Sequence, residues 1–170
     1  GPPGCGKTSF VKALTQQLKG IEILEENAVD LGAKKMKEIG ESARYLRRTQ
    51  ERQTLLFIDE IHRLTRSQQD VLLPFVEAGD LVLIGATTEN PSYELNSALM
   101  SRCRLIVFEA LDEKALLSLI EKACRFQQVI EDQLMTAEFR RKLVLSSTGD
   151  GRRLLNTMEE LFLLFESQPE

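Results

Sequence analysis

An α/β fold, with a parallel sheet layered between helices and a small all-helical lid after it, is predicted by three observations. The 170-residue chain opens on a glycine-rich loop, Gly1-Pro2-Pro3-Gly4-Cys5-Gly6-Lys7-Thr8, that runs directly into a helical pattern. Further on, the apolar run Leu55-Leu56-Phe57-Ile58 ends in two carboxylates, Asp59 and Glu60. Beyond Ala110 the pattern changes from strands to helices only. The division is therefore read as 1–110 for the α/β part and 111–170 for the lid.

The opening loop satisfies the phosphate-loop pattern G-x-x-x-x-G-K-S/T. Its glycines let backbone N–H groups converge on phosphate oxygens where a Cβ would obstruct the approach. Lys7 is placed to reach the β- and γ-phosphates and the Thr8 hydroxyl to bind Mg²⁺. From Ser9 to Leu18, apolar Phe10, Val11, Leu14 and Leu18 follow helical spacing, so a helix N-terminus faces the anion. Pro3, Gly4, Cys5, Gly6, Lys7, Thr8 and Ser9 are accordingly the candidate ATP-binding residues at this end. Cys5 reads as a small loop residue.

Between Ala33 and Gln53, seven basic residues (Lys34, Lys35, Lys37, Arg44, Arg47, Arg48 and Arg52) face three acids, Glu38, Glu41 and Glu51, a local +4 in an acidic chain. Such a strip can track a DNA backbone. It can equally be a solvated helix laced with pairs such as Lys34 with Glu38, Lys37 with Glu41, and Glu41 with Arg44.

The run Leu55–Ile58 reads as a fully buried strand of a parallel sheet, and ligands gather at the carboxyl ends of such strands. Asp59 is then expected to help hold Mg²⁺, and Glu60 to orient or deprotonate the attacking water. His62 reads as a surface or packing residue, because a metal needs more ligands than one imidazole offers. Leu81-Val82-Leu83-Ile84-Gly85-Ala86-Thr87-Thr88 reads as another buried strand, now ending in hydroxyls able to bond a γ-phosphate or its attacking water. A turn at Glu89–Ser92 precedes a short helix around Leu95–Met100. Arg102 lies just after it, either as a surface charge or as a cation for a neighbour's phosphates. Leu105-Ile106-Val107-Phe108 reads as one more strand. Helices are expected over Asp112 to about Gln127, from near Thr136, and after Gly149-Asp150-Gly151. Their Leu and Phe stripes read as core.

Composition narrows the setting. Lys and Arg number 22 against 26 Asp and Glu, a net of −4, which argues against a broadly basic nucleic-acid coat. Cys5, Cys103 and Cys124 form no CxxC pair, so neither a disulfide framework nor a zinc site is expected, and a reducing compartment is. No run of 18 apolar residues and no secretion signal is visible, so no membrane partner is expected.

Taken together, GPPGCGKT at Gly1–Thr8, FIDEIHR at Phe57–Arg63, GATTENPS at Gly85–Ser92, ELNSALMSRCR at Glu94–Arg104 and GDGRRLLN at Gly149–Asn156 carry a family resemblance. The chain resembles the AAA+ ATPases of the clamp-loader-like branch, and within them the RarA/MgsA family, which includes the Werner-helicase-interacting ATPase. The resemblance implies a P-loop AAA+ three-layer fold that binds ATP and Mg²⁺. It makes Thr88 look like sensor 1, Arg102 like the arginine finger acting on the adjacent subunit, and Arg152, in preference to Arg153, like sensor 2. Gly151 departs from the Ala or Met usual before the arginines and is expected to loosen the helix start, by about 1 kcal/mol relative to Ala.

The resemblance also implies a five-stranded sheet whose first, central strand and adenine contacts lie before Gly1, and an oligomerisation region beyond Glu170. The core is thus expected to be incomplete at its N-terminus, and the lid open at its C-terminus. A gap is expected between the strands at Leu81–Thr87 and Leu105–Phe108. The implied function is a cytoplasmic, nucleoid-associated, DNA-dependent ATPase of replication-fork maintenance and recombination. It would act as a homo-oligomer on single-stranded or forked DNA with replication proteins such as single-strand-binding protein. Two alternatives stand beside it: a RuvB-like Holliday-junction motor, and a non-hydrolysing truncated assembly module.

Overall fold

The computed structural model describes residues 1–166, so the last four residues of the expected lid lie outside it. The chain forms two compact units: Lys7–Val107, and Gly1–Gly6 together with the chain from Phe108 onward.

In the sheet unit the order is α1 (Lys7–Thr15), β1 (Glu22–Asn27), α2 (Ala33–Gln50), β2 (Thr54–Asp59), a 3-10 turn (Ile61–Arg63), α3 (Arg66–Glu77), β3 (Leu81–Gly85), α4 (Pro91–Glu94) and α5 (Ser97–Met100). The three strands are all parallel in the order β1-β2-β3. β2 is central, and Thr54 through Ile58 are buried, as its unbroken apolar run predicts. Alternation along β2 divides the core. Leu56 and Ile58 join Met36, Ala43, Leu72 and Phe75 from α2 and α3, whereas Leu55 and Phe57 join Val11 of α1.

Structure and sequence expectation differ at four segments here. β1 and α3 answer to no strand or helix read from the sequence. β3 is only partly buried, with Val82 45% exposed, because it has a strand neighbour on one side only. Leu105–Phe108 is not a strand: Leu105, Ile106 and Val107 are 62%, 68% and 70% exposed. A strand is completed by a hydrogen-bonding neighbour, and an apolar run does not by itself supply one.

The basic strip lies on α2 except for Arg52, which follows it, and six of its seven cations meet carboxylates. Lys34–Glu38 and Lys37–Glu41 pair at 4.0 and 3.8 Å along the helix. Lys35 reaches Glu26 and Arg52 reaches Glu22, each at 2.6 Å. Arg44 bypasses Glu41 for the buried Asp80, at 2.9 Å, and Arg47 joins it at 3.4 Å. The ion-pair reading of this strip is the one these contacts favour. α3 starts on a capping box in which Thr65 and Gln68 exchange side-chain and backbone bonds. The fully buried Gln69 of α3 donates to the Leu64 and Glu94 carbonyls and accepts the Asn96 N–H.

The helical unit contains α6 (Glu113–Phe126), α7 (Glu131–Leu134), α8 (Ala137–Ser147) and α9 (Gly151–Glu166). Asp112 caps α6 and Thr136 caps α8 through their side-chain oxygens. Leu154, Met158 and Phe162, one turn apart on α9, bury against Leu116 and Ile120 of α6 and Leu143 and Val144 of α8. Leu155 stands outside that stripe, 40% exposed. Burial raises the Cys124 thiol pKa, and Glu131 raises it further; burial also raises that of Cys103 in the sheet unit. Among the described residues, no helix is long and apolar enough to cross a membrane.

Candidate functional site

In the sheet unit, the parallel register aligns Asn27 with Asp59 and Ile58 with Gly85, so the carboxyl ends of all three strands fall at one level. Asp59 sits at that level, and its Oδ2 accepts the Thr8 hydroxyl at 3.1 Å. Its Oδ1 accepts the Glu60 N–H at 3.0 Å. Thr8 is the second residue of α1, so a carboxylate and a helix-N-terminal hydroxyl converge although 51 residues separate them. The pair suits a hard divalent cation such as Mg²⁺, which prefers a few oxygen ligands and keeps several waters.

Glu60 adopts φ 55° and ψ 40°, a left-handed conformation that costs a residue with a Cβ about 1 kcal/mol or more. The chain beyond it is pinned by two backbone bonds: the Ala86 N–H donates to the Ile58 carbonyl and the Ile61 N–H donates to the Ala86 carbonyl, both at 2.9 Å. That stitching brings His62 beside Thr87. His62 Nδ1 lies 2.9 Å from the Thr87 hydroxyl and 3.3 Å from Glu60 Oε2. Thr88 is exposed at the neighbouring position. At the end of β3 the hydroxyl bonded to the turn after Glu60 is that of Thr87, through His62, whereas the family resemblance points to Thr88. His62, expected to serve only surface or packing, touches the candidate base. Alignment of the β2 and β3 ends is the signal that would have found both.

Arg102 follows α5 and folds back onto its own unit. Its guanidinium bonds the Ala98 carbonyl, the Ser101 hydroxyl and, at 2.5 Å, the Glu77 carboxylate. Cys103 follows it, partly buried.

The remaining candidates belong to the helical unit. Gly4 has φ 65°, open to glycine at no steric cost. Its carbonyl accepts the Gly151 N–H at 3.0 Å, and a Cβ there would collide with the Asp150 carboxylate. Cys5 is buried, its thiol bonded to the Pro2 carbonyl. Asp150 caps α9 by accepting the Arg152 and Arg153 N–H groups at 2.8 and 3.0 Å. The helix thus begins at Gly151, with the Arg152 and Arg153 donors satisfied by Asp150. Gly151 is there because a Cβ would press on Leu111, Leu119 and the Gly4 carbonyl. Arg152 and Arg153 are both exposed.

Comparison with known proteins agrees with this geometry. Residues 1–111 match the family model described as the ATPase family associated with various cellular activities. The chain is similar to the Escherichia coli (strain K12) protein named replication-associated recombination protein A, at 41% identity over 94% of this chain and 36% of that protein. It is also similar to the Dictyostelium discoideum protein named ATPase WRNIP1, at 40% identity over 94% of this chain and 18% of that one. The chain thus spans little more than a third of the one and under a fifth of the other. Among solved structures, it resembles the Thermotoga maritima RuvB Holliday junction branch migration motor with a TM-score of 0.72 and 28% identity, covering 92% of this chain and 50% of that one. With the loop, the acidic strand end and the family match in agreement, the chain belongs to the AAA family of ATPases.

Proposed function

We propose that this chain is the nucleotide-binding and hydrolysing part of a DNA-dependent ATPase of replication-fork maintenance and recombination. The observation that carries the ATPase reading is the 3.1 Å bond between Thr8 and Asp59, with Glu60 next in the chain. In that reading the loop from Pro3 to Ser9 cradles the phosphates, its backbone N–H groups from Gly4 onward and the Lys7 ammonium donating to them. Thr8 and Asp59 would hold Mg²⁺, which, when bound, neutralises charge on the phosphate oxygens. Glu60 accepts the proton of the attacking water, Thr88 bonds the γ-phosphate, and Arg152 contacts nucleotide from the lid. Arg102 leaves Glu77 to stabilise developing charge on a neighbouring subunit's phosphate, which requires a homo-oligomer. The division into a 1–110 core and a 111–170 lid belongs to this reading, as does a cytoplasmic, nucleoid-associated setting.

The DNA part of the proposal is supported by the similarity to replication-associated recombination protein A. Single-stranded or forked DNA is the expected effector and single-strand-binding protein an expected partner. The decisive experiment uses the full-length polypeptide. Glu60→Gln should retain nucleotide while losing about 100-fold or more in turnover, and Lys7→Ala should lose nucleotide binding. Normal turnover by Glu60→Gln refutes the assignment of the base. Absence of stimulation by forked DNA refutes the DNA dependence. The structural likeness to a branch migration motor favours a second reading, a RuvB-like junction motor. Branch migration of a four-way junction by the full-length protein would select it.

A further inference from the structure

We propose that His62 is a positioning residue for hydrolysis: its Nδ1 orients the Glu60 carboxylate, and the Thr87 hydroxyl holds the imidazole in place. The inference rests on the reading of Glu60 as catalytic base. It starts from the conformation of Glu60 itself. The left-handed backbone there ends the strand and turns directly into the 3-10 turn that carries His62. Strain of this kind persists where its surroundings over-determine it. Here those surroundings are the Ile61 N–H to Ala86 carbonyl bond, the buried Ile61 side chain and the His62 contact.

The imidazole is not a surface group, since its side chain is 10% exposed, while that of Glu60 is 38% exposed. One ring nitrogen meets both neighbours, at 2.9 Å to Thr87 Oγ1 and 3.3 Å to Glu60 Oε2. Thr87 Oγ1 is itself fixed by the Glu89 N–H at 2.9 Å. An ionised carboxylate only accepts hydrogen bonds, so with hydrogen on Nδ1 the one N–H is shared between Thr87 Oγ1, the nearer acceptor, and Glu60 Oε2. The other tautomer would set a nitrogen lone pair against the carboxylate. A half-exposed carboxylate without this donor samples several rotamers. Displacing a reacting group by about 1 Å can cost about 100-fold in rate. Holding Glu60 in one rotamer is therefore worth a rate factor, while nucleotide affinity, set elsewhere, is untouched.

The test measures turnover, KM and the affinity for a fluorescent ATP analogue in the full-length polypeptide. His62→Ala should lower kcat by about 10- to 100-fold with KM and affinity within twofold. His62→Asn, whose amide nitrogen lies where Nδ1 does, should recover most of the loss. His62→Gln, whose amide nitrogen lies where Nε2 does, should not. Thr87→Val should give a smaller loss of kcat, again without change in affinity. In a Glu60→Gln background, His62→Ala should add nothing. Normal kcat for His62→Ala, equal activities for the Asn and Gln variants, or a full further loss in the Glu60→Gln background each overturn the proposal. If His62→Ala fails to fold, the Asn and Gln pair decides. Failure of the underlying reading looks different, because then Glu60→Gln itself turns over normally.

Discussion

The two ends of the sheet treat their carboxylates in opposite ways. At the amino end, Asp80 is 6% exposed and takes both Arg44 and Arg47 of α2. At the carboxyl end, Asp59 is partnered by a hydroxyl and a backbone N–H, and Glu60 by an imidazole. The first carboxylate is neutralised by cations of its own unit and serves to dock a helix. The second pair is oriented by a hydroxyl, a backbone N–H and an imidazole, and its oxygens stand at the strand ends, where they suit a divalent cation.

Four single substitutions and one double would break or sharpen this contrast. Asp59→Ala has the largest expected effect, about a 100-fold loss of Mg²⁺-dependent turnover, equivalent to about 2.7 kcal/mol of barrier, with the thermal midpoint unchanged or raised. A steady-state assay over Mg²⁺ concentration beside a melting curve checks both halves. Asp80→Asn should do the reverse. It removes a buried, doubly bonded charge and lowers stability by about 2 kcal/mol in urea unfolding, and nucleotide affinity stays as it was. Were Asp80→Asn to abolish nucleotide binding at unchanged stability, the division of labour between the two ends would be wrong.

Glu77→Gln is expected to shift stability by no more than about 0.5 kcal/mol, because Arg102 and Glu77 are each about two-fifths exposed. Its informative readout is the concentration dependence of turnover. Freed from Glu77, Arg102 should activate neighbouring sites at lower protein concentration. Lys34→Ala is the smallest, within about 0.3 kcal/mol by melting, since its 4.0 Å pair with Glu38 is solvent-exposed. Reversing the charge of Arg47 and Arg48 together asks whether α2 contacts DNA. An unchanged salt slope of DNA-stimulated turnover retires that role.

What was legible in the sequence follows from how local each signal is. β2 is written in adjacent apolar residues, so it is legible directly. The helical unit was read from its one-turn spacing of Leu154, Met158 and Phe162. β1 escaped notice because Glu22, Glu25 and Glu26 stand in it, on a strand with only one neighbour. α3 escaped because Pro74 lies inside it, although Thr65 and Gln68 spell a capping box that announces its start. Leu105–Phe108 is the opposite case, an apolar run that predicts a strand but has no strand neighbour to pair with. The contact of His62 with Thr87 depends on the register of two strands and on a left-handed residue, neither of which any short window contains. Arg44 choosing Asp80 over Glu41 is the same lesson in charge: a partner 36 residues away outcompetes one three residues away.

Gln69 has a mechanical consequence. Its single amide is shared between the carbonyl that closes the 3-10 turn after Glu60 and the stretch from Glu94 to Asn96 that launches the helix leading to Arg102. Asn96 in turn caps that helix through the Leu99 N–H. The turn after Glu60 and the loop leading to Arg102 therefore share one rivet. In the proposed reading, a pull on Arg102 by a neighbour's nucleotide would load the same joint that holds the Glu60 turn.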